Sequence, residues 1–262
     1  SGMSENGRGK SIAQIRAEFE QAELHGGQAL HVLYEEYSED SRAGVMNLIK
    51  KYRKKEEALA AERARLYAMQ SYERQYADCA LICGIDEAGR GPLAGPVVAG
   101  AVILPKDCEI LGLNDSKKLS AAKRDSLYDE IMEKAVAVGV GMASPARIDE
   151  INILQATYEA MRDAVADLGV RPDLLLNDAV TIPQIEIPQV PVIKGDAKSV
   201  SIAAASIIAK VTRDRLMVQY DEVLPGYGFA QHKGYGSKEH IEALQKLGPA
   251  PIHRRSFIGH FV

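Results

Sequence analysis

Leu81-Ile82-Cys83-Gly84-Ile85-Asp86-Glu87-Ala88-Gly89-Arg90-Gly91-Pro92-Leu93-Ala94-Gly95-Pro96 decides how the rest of this chain is read. Leu81 to Ile85 is an apolar run that predicts a buried strand, and a second run from Val97 to Leu104 follows the glycine- and proline-rich turn. Two adjacent carboxylates stand where the first strand ends. Ionised groups leave water only when something pairs with them, so a divalent cation is the expected partner. The glycines let backbone N–H groups approach an anion closely, and Arg90 supplies a bidentate fork for phosphate. Carboxylates for a metal beside a phosphate cradle suit phosphodiester chemistry. A solvated strand end followed by a tight turn is the plainer alternative for the same six residues. Dinucleotide binding fails on spacing: Gly89, Gly91 and Gly95 give G-x-G-x-x-x-G, one residue too long, and a strand rather than a helix follows. No G-x-x-x-x-G-K-[ST] loop occurs, which excludes a P-loop nucleotidase.

Two further acids share the placement of Asp86. Asp178 follows Leu174-Leu175-Leu176-Asn177, at the end of a predicted buried strand, and Asp196 lies between Val190–Gly195 and a strongly helical segment. Strand C-termini and helix N-termini are where ligand sites collect in α/β proteins. Four acids at one point repel one another unless a cation is present, and an oxygen-only donor set points to Mg²⁺ or Mn²⁺. Strand-end and helix-cap roles are the structural alternatives for Asp178 and Asp196. Asp214, between Arg213 and Arg215, reads as a surface ion pair.

The 262 residues suffice for a catalytic domain of about 180 residues and a smaller module. No apolar run approaches the ~18 residues of a membrane span. No signal peptide is expected, and Ser1-Gly2 ahead of Met3 reads as a tag remnant. Three cysteines without C-x-x-C spacing predict reduced thiols in a cytoplasmic protein, and six histidines show no zinc spacing. The net charge of −4 is mildly unfavourable for nucleic acid, but local distribution matters more. Lys50 to Arg65 holds seven Lys/Arg against three Glu, and residues 231–260 hold Lys233, Lys238, Lys246, Arg254, Arg255 and four histidines against two Glu.

Residues 11–40 predict two short helices broken at Gly26-Gly27, and 42–75 a long helix with Val45, Leu48, Ile49 and Tyr52 as an apolar stripe. Lys50, Lys51, Arg53, Lys54 and Lys55 lie mainly off that stripe. They are either a solvated face or part of a substrate-binding appendage. A linker over 76–80 leads to strands at 81–86, 96–104 and 136–143, with a helix over 121–134. Helix and strand then alternate: helix 147–168, strands 174–177 and 190–193, helices 199–223 and 237–247. Periodicity alone yields an α/β protein with an all-helical N-terminal module over 1–75 and a second domain over 80–262.

Asp86 to Val97, Leu113-Asn114-Asp115-Ser116-Lys117-Lys118-Leu119, Leu174 to Asp178, Lys194-Gly195-Asp196-Ala197-Lys198-Ser199 with Ile202–Lys210, and His232-Lys233-Gly234-Tyr235-Gly236 together resemble the ribonuclease HII (type 2 ribonuclease H) family, block by block and in order. The segment before residue 80 resembles a helical extension carried by one bacterial branch. The resemblance implies a ribonuclease H-like fold with a mixed five-stranded sheet flanked by helices. It implies Asp86, Glu87, Asp178 and Asp196 as catalytic metal ligands for Mg²⁺ or Mn²⁺. The activity implied is hydrolysis of the RNA strand of RNA–DNA hybrids and cutting at single ribonucleotides in duplex DNA, by two metal ions, in a monomer. Gly89-Arg90-Gly91 would grip a 2′-hydroxyl through amides and carbonyls, and Tyr235 would stack on the deoxyribose after the ribonucleotide. Ser116, Lys117, Lys118 and Lys198 would meet phosphates, with a salt bridge to a site acid the alternative for Lys198. One departure stands out: the family's third acid is usually flanked as Val-Asp-Gly, whereas here it is Asn177-Asp178-Ala179. The alternatives are a non-catalytic hybrid-binding protein on the same fold and a ribonuclease HIII-type enzyme, whose N-terminal domain differs.

Overall fold

The computed structural model describes residues 9–262, so residues 1–8 of the expected N-terminal module, with Ser1-Gly2 and Met3, lie outside the described residues. The chain divides into two compact units, one through Arg65 and one from Leu66. The first is helical: α1 (Ile12–His25), α2 (Gly27–Glu36) and most of α3 (Ala43–Ala68). Ser11 starts α1 through a capping box, its Oγ accepting the Gln14 N–H while Gln14 Oε1 accepts the Ser11 N–H. Phe19 sits among Tyr34, Tyr37 and Tyr52, with ring centroids 5.2–6.4 Å apart. Val45, Leu48 and Tyr52 are buried in this same core, so the apolar stripe of α3 is spent inside the unit. Lys50, Lys51, Arg53, Lys54 and Lys55 are exposed.

The helix expected over 42–75 ends at Ala68, and a short α4 (Ser71–Gln75) follows. Leu66 and Met69 are buried with Val102, Ile110 and Val200 in the second unit, and the Met69 carbonyl accepts the Val200 N–H. Tertiary packing therefore claims the end of α3 for the second unit, ahead of the expected boundary.

The second unit is built on one sheet, β3-β2-β1-β4-β5, from β1 (Ile82–Ala88), β2 (Val97–Ile103), β3 (Ala137–Ala143), β4 (Leu174–Asp178) and β5 (Gln189–Val192). β1 pairs antiparallel with β2 and β2 with β3, whereas β1–β4 and β4–β5 are parallel. The sheet is thus the mixed five-stranded one expected, an antiparallel meander extended by parallel strands. α5 (Ala121–Lys134) follows β2. The helix expected over 147–168 divides into α6 (Pro145–Ile151) and α7 (Ile153–Asp167). Asn152, at φ 74°, makes the break, and its side chain caps α7 by accepting the Gln155 N–H. α8 (Val200–Val223), α9 (Phe229–His232) and α10 (Lys238–Leu247) complete the unit.

The strands alternate between two cores. Cys83, Ile85, Ala99 and Ala101 face the α7 residues Ala156, Ala160, Met161 and Ala164. On the other face α8 lies so close to β1 that a Cβ on Gly84 would stand 2.1 Å from the Ser201 carbonyl group. Ile207 and Ile208 of α8 are fully buried there, and truncating either to alanine would cost about 2–5 kcal/mol.

Candidate active site

Register brings the first two acids together. β1 runs two residues past Asp86, where the sequence placed its end, because Glu87 and Ala88 still pair with β2. Ile85 pairs with Asn177 across parallel β1 and β4, so Asp86 and Asp178, the last residue of β4, follow side by side. Alternation puts both on the α8 face, with Gly84 and Leu176. Asp196 arrives in the 3₁₀ turn Gly195–Ala197 that leads into α8, and Asp178 Oδ1 accepts the Gly195 N–H at 2.9 Å, tying the second acid to the third. Carboxylate oxygens of Asp86, Asp178 and Asp196 lie within 4.8 Å of one another.

Among the described residues three acids converge in this way, not four. Alternation starts Glu87 on the opposite face from Asp86 and Asp178, and its carboxyl hydrogen-bonds that of Asp86 without joining the three. Among the described residues its Oε2 is buried without a hydrogen-bond partner. Burial, then the neighbouring charges of Glu87 and Asp178, hold the Asp86 carboxyl well above the usual range. Burial raises Glu87 as well, against the Asp86 hydrogen bond and the Arg90 charge. Asp196 is pushed up to about 6 by burial, then by Asp178 and Asp115. Crowded, dehydrated carboxylates with an orphaned oxygen beside them fit a divalent cation, which would supply the missing positive charge.

Around the cluster, Arg90 and Gly91 are exposed while Gly89 is buried. The Tyr235 ring, 42% exposed, comes within 3.9 Å of where a Cβ on Gly91 would stand, so two segments far apart in sequence adjoin. Lys117, on the 3₁₀ turn Ser116–Lys118, sets its Nζ 3.9 Å from Asp196 Oδ2. Its ammonium is held protonated by Asp115 first, then by Asp196 and the other site acids. Lys118 and Lys198 are exposed, and Lys198 takes no salt bridge with a site acid among the described residues.

Three placements correct the sequence reading. Ser116 does not face a phosphate: it is buried, and its Oγ meets Ser206 Oγ of α8 at 2.7 Å, because the 3₁₀ turn packs its first residue inward. The gripping loop does not offer all its carbonyls, since those of Gly89 and Arg90 are taken by Arg254. Nor do Arg254, His240 and His253 contribute to a basic substrate path, for all three are buried. Asp214 is an ion pair as expected, but with Lys210 at 3.0 Å rather than with a neighbouring arginine. Sequence reasoning missed Asp115, a fifth carboxylate beside the cluster, whose Oδ1 accepts the Lys117 N–H at 3.0 Å. Its signal lay in the Asn114-Asp115-Ser116 block, where an Asp ahead of a turn reads first as a cap.

A mixed five-stranded sheet with acids gathered on the adjacent strands β1 and β4 has the ribonuclease H-like architecture, and the chain is of that class of nuclease. The profile of the ribonuclease HII family matches residues 83–260, and that of the ribonuclease HII N-terminal domain matches residues 11–77. A ribonuclease HII from Lachnoclostridium phytofermentans is 67% identical over 247 residues, covering 94% of this chain and 96% of that one. One from Enterococcus faecalis is 56% identical, covering 84% and 87%. The ribonuclease H2 structure from Pyrococcus horikoshii OT3 superposes with a TM-score of 0.56 at 30% identity, covering 67% of this chain and 93% of that chain. The chain belongs to the ribonuclease HII family. It is a ribonuclease H enzyme, and the match of residues 11–77 sets the ribonuclease HIII alternative aside.

Proposed function

We propose that the enzyme is an endoribonuclease that hydrolyses the RNA strand of RNA–DNA hybrids and cuts at single ribonucleotides embedded in duplex DNA, leaving 5′-phosphate and 3′-hydroxyl ends. The observation that carries this reading is the convergence of Asp86, Asp178 and Asp196 to within 4.8 Å, beside a loop and an aromatic ring suited to a sugar. The three carboxylates, with Glu87 and its partnerless Oε2, would hold Mg²⁺ or Mn²⁺. Held there, two such ions would supply Lewis-acid chemistry, lowering the pKa of water and stabilising negative charge on a leaving oxygen.

The chain's own residues do the rest. Arg90 and Gly91 present the loop to the ribose, whose 2′-hydroxyl is what separates RNA from DNA. Tyr235 covers the next sugar, where a further 2′-hydroxyl would clash, which favours an RNA-to-DNA junction. Lys117, Lys118 and Lys198 place positive charge beside the acids, where scissile and flanking phosphates pass. Three free cysteines accord with a reducing cytoplasmic setting. The N-terminal unit acts as a clamp in this reading, because its apolar stripe is buried internally while Lys50 to Lys55 face outward.

Incubating the enzyme with Mg²⁺ or Mn²⁺ and a duplex carrying one ribonucleotide tests the proposal. Cleavage at the ribonucleotide is expected, and no cleavage with either ion would sink it. Removing residues 9–65 should weaken hybrid binding and flatten its salt dependence, by roughly 0.7–0.9 in the log–log slope for every phosphate the clamp had neutralised. An unaltered salt slope would retire the clamp.

A further inference from the structure

Two arginines of the second unit are almost completely enclosed, Arg213 at 1% and Arg254 at 0% exposure. Neither has an ion-pair partner among the described residues. Each is instead satisfied by three backbone carbonyls. Arg213 donates to Pro96 O at 2.9 Å, Ala94 O at 2.8 Å and Lys233 O at 2.7 Å. Arg254 donates to Gly95 O and Arg90 O at 2.9 Å and to Gly89 O at 2.5 Å. A buried charge is costly, and one neutralised by no carboxylate asks what it is kept for.

The answer lies in the peptide planes. In a trans peptide the C=O and the N–H of one unit point in opposite directions, and no cis bond occurs among the described residues. Carbonyls of Gly89 and Arg90 turned inward onto Arg254 therefore turn the N–H groups of Arg90 and Gly91 outward. Both residues are exposed, and neither amide meets a protein acceptor among the described residues. A guanidinium behind the two carbonyls also polarises those peptide units, which strengthens the outward donors. Gly89 adopts φ +89°, and a Cβ there would lie 2.2 Å from Arg213 Nε, so glycine lets the loop pass the Arg213 side chain, whose hydrogen bonds go elsewhere, while Arg254 alone holds the two carbonyls.

We propose that Arg254 is a positioning residue for ribose recognition: by holding the Gly89 and Arg90 carbonyls it aims the Arg90 and Gly91 amides at the 2′-oxygen. This rests on the reading that the loop meets a 2′-hydroxyl. The hydroxyl oxygen accepts from the paired amides, whereas a deoxyribose leaves two polarised donors unpaired, so the discrimination is set largely by rejection of DNA. Arg213 is the internal control. It is as buried and makes as many hydrogen bonds, yet holds neither of the two decisive carbonyls.

The test compares Kd, without divalent ion, for a duplex containing one ribonucleotide and for the same all-deoxy duplex. The unmodified enzyme is expected to prefer the ribonucleotide duplex by roughly tenfold or more. Arg254→Lys, a point donor unable to span both carbonyls, should bring that ratio to within about twofold of unity with all-deoxy affinity nearly kept. Arg213→Lys should keep the preference even where it lowers Tm. An Arg254→Lys enzyme that still discriminates, or equal loss of discrimination in both variants, overturns the proposal. An unmodified enzyme with no preference overturns the reading of the loop and the proposal together. Should Arg254→Lys not fold, amide resonances of the unmodified enzyme decide: Arg90 and Gly91 should shift with the ribonucleotide duplex and not with the all-deoxy one. Amides indifferent to the ribose, or Arg254 Nη–H protons exchanging as fast as in free arginine, would overturn it.

Discussion

Two groups of like charge are buried in the same unit of this enzyme. Where β1 lies beside the end of β4, Asp86, Asp178 and Asp196 crowd together, and burial with mutual repulsion raises Asp86 and Asp196. Arg213 and Arg254 are buried too, and burial lowers both, Arg254 to about 9. The arginines remain charged at neutral pH because six carbonyls surround them. The acids have no such shell of donors: among the described residues Glu87 Oε2 has no partner, and the backbone donors to Asp86 and Asp178 are single N–H groups, from Glu87 and Gly195. Charge satisfied from within is scaffold, and charge left wanting is a ligand site. Burial alone does not separate the two.

The sharpest way to break this contrast is on the acid side. Asp86→Asn removes a metal ligand with little change of shape. It should cost several kcal/mol of transition-state stabilisation, or roughly a thousandfold in kcat at about 1.36 kcal/mol per decade, with duplex affinity largely kept. Turnover within about tenfold of the parent would show the carboxylate assignment to be wrong.

Next comes the stability of the metal-free protein. Asp196 titrates near 6 in the fold and in the ordinary carboxylate range when unfolded, and Asp86 and Glu87 are raised in the same direction. The folded state then binds more protons across that window, so the contribution is fully present below about pH 4 and is lost as pH rises through about 6. A divalent ion reverses the loss. At a hundredfold excess over Kd it contributes about 2.7 kcal/mol, which raises Tm by roughly 5–10 °C at pH 7.5, and by much less at pH 5. Equal Tm gains at both pH values, read by calorimetry, would contradict the cluster's electrostatics.

On the arginine side, Tyr235→Ala should slow cleavage at a single embedded ribonucleotide more than cleavage of a long hybrid, which is held at many other points. Stacking of about 1–3 kcal/mol sets the expected difference at roughly tenfold. Equal losses on both substrates would count against stacking. The smallest effect belongs to Ala179, which sits at φ 62° immediately after Asp178. Ala179→Gly relieves about 1–2 kcal/mol of left-handed strain and returns about 0.4–1 kcal/mol as unfolded-state entropy. Tm should hold or rise by up to about 6 °C, and a fall would show that the methyl group packs usefully.

Asn177 accounts for the tolerance of that strain. It is fully buried, and its Nδ2 donates to Gln189 Oε1, which also accepts the Ile182 N–H, so the loop after Asp178 is clamped from both sides. The sequence showed Asn177-Asp178-Ala179 as a departure from Val-Asp-Gly, and the clamp 12 residues away was invisible in it. The histidines behaved similarly. Counted as positive charge along the chain, His240 and His253 are buried and joined Nε2 to Nε2 at 2.8 Å, with His232 stacked on His240 at 4.1 Å. Burial, then the neighbouring His240, holds His253 down to about 4, so it is neutral at neutral pH.

What the chain's order of residues determined by itself was local. Apolar runs, glycine breaks and caps marked nearly every helix and strand, and the acids at strand ends marked the site, because those signals act over a few residues. Only the tertiary structure decided which charged groups are satisfied. Whether a carboxylate is left bare or a guanidinium is wrapped in carbonyls depends on segments far apart along the chain, as Arg254 and Gly89 are, and burial is a property of the packed fold rather than of any stretch within it.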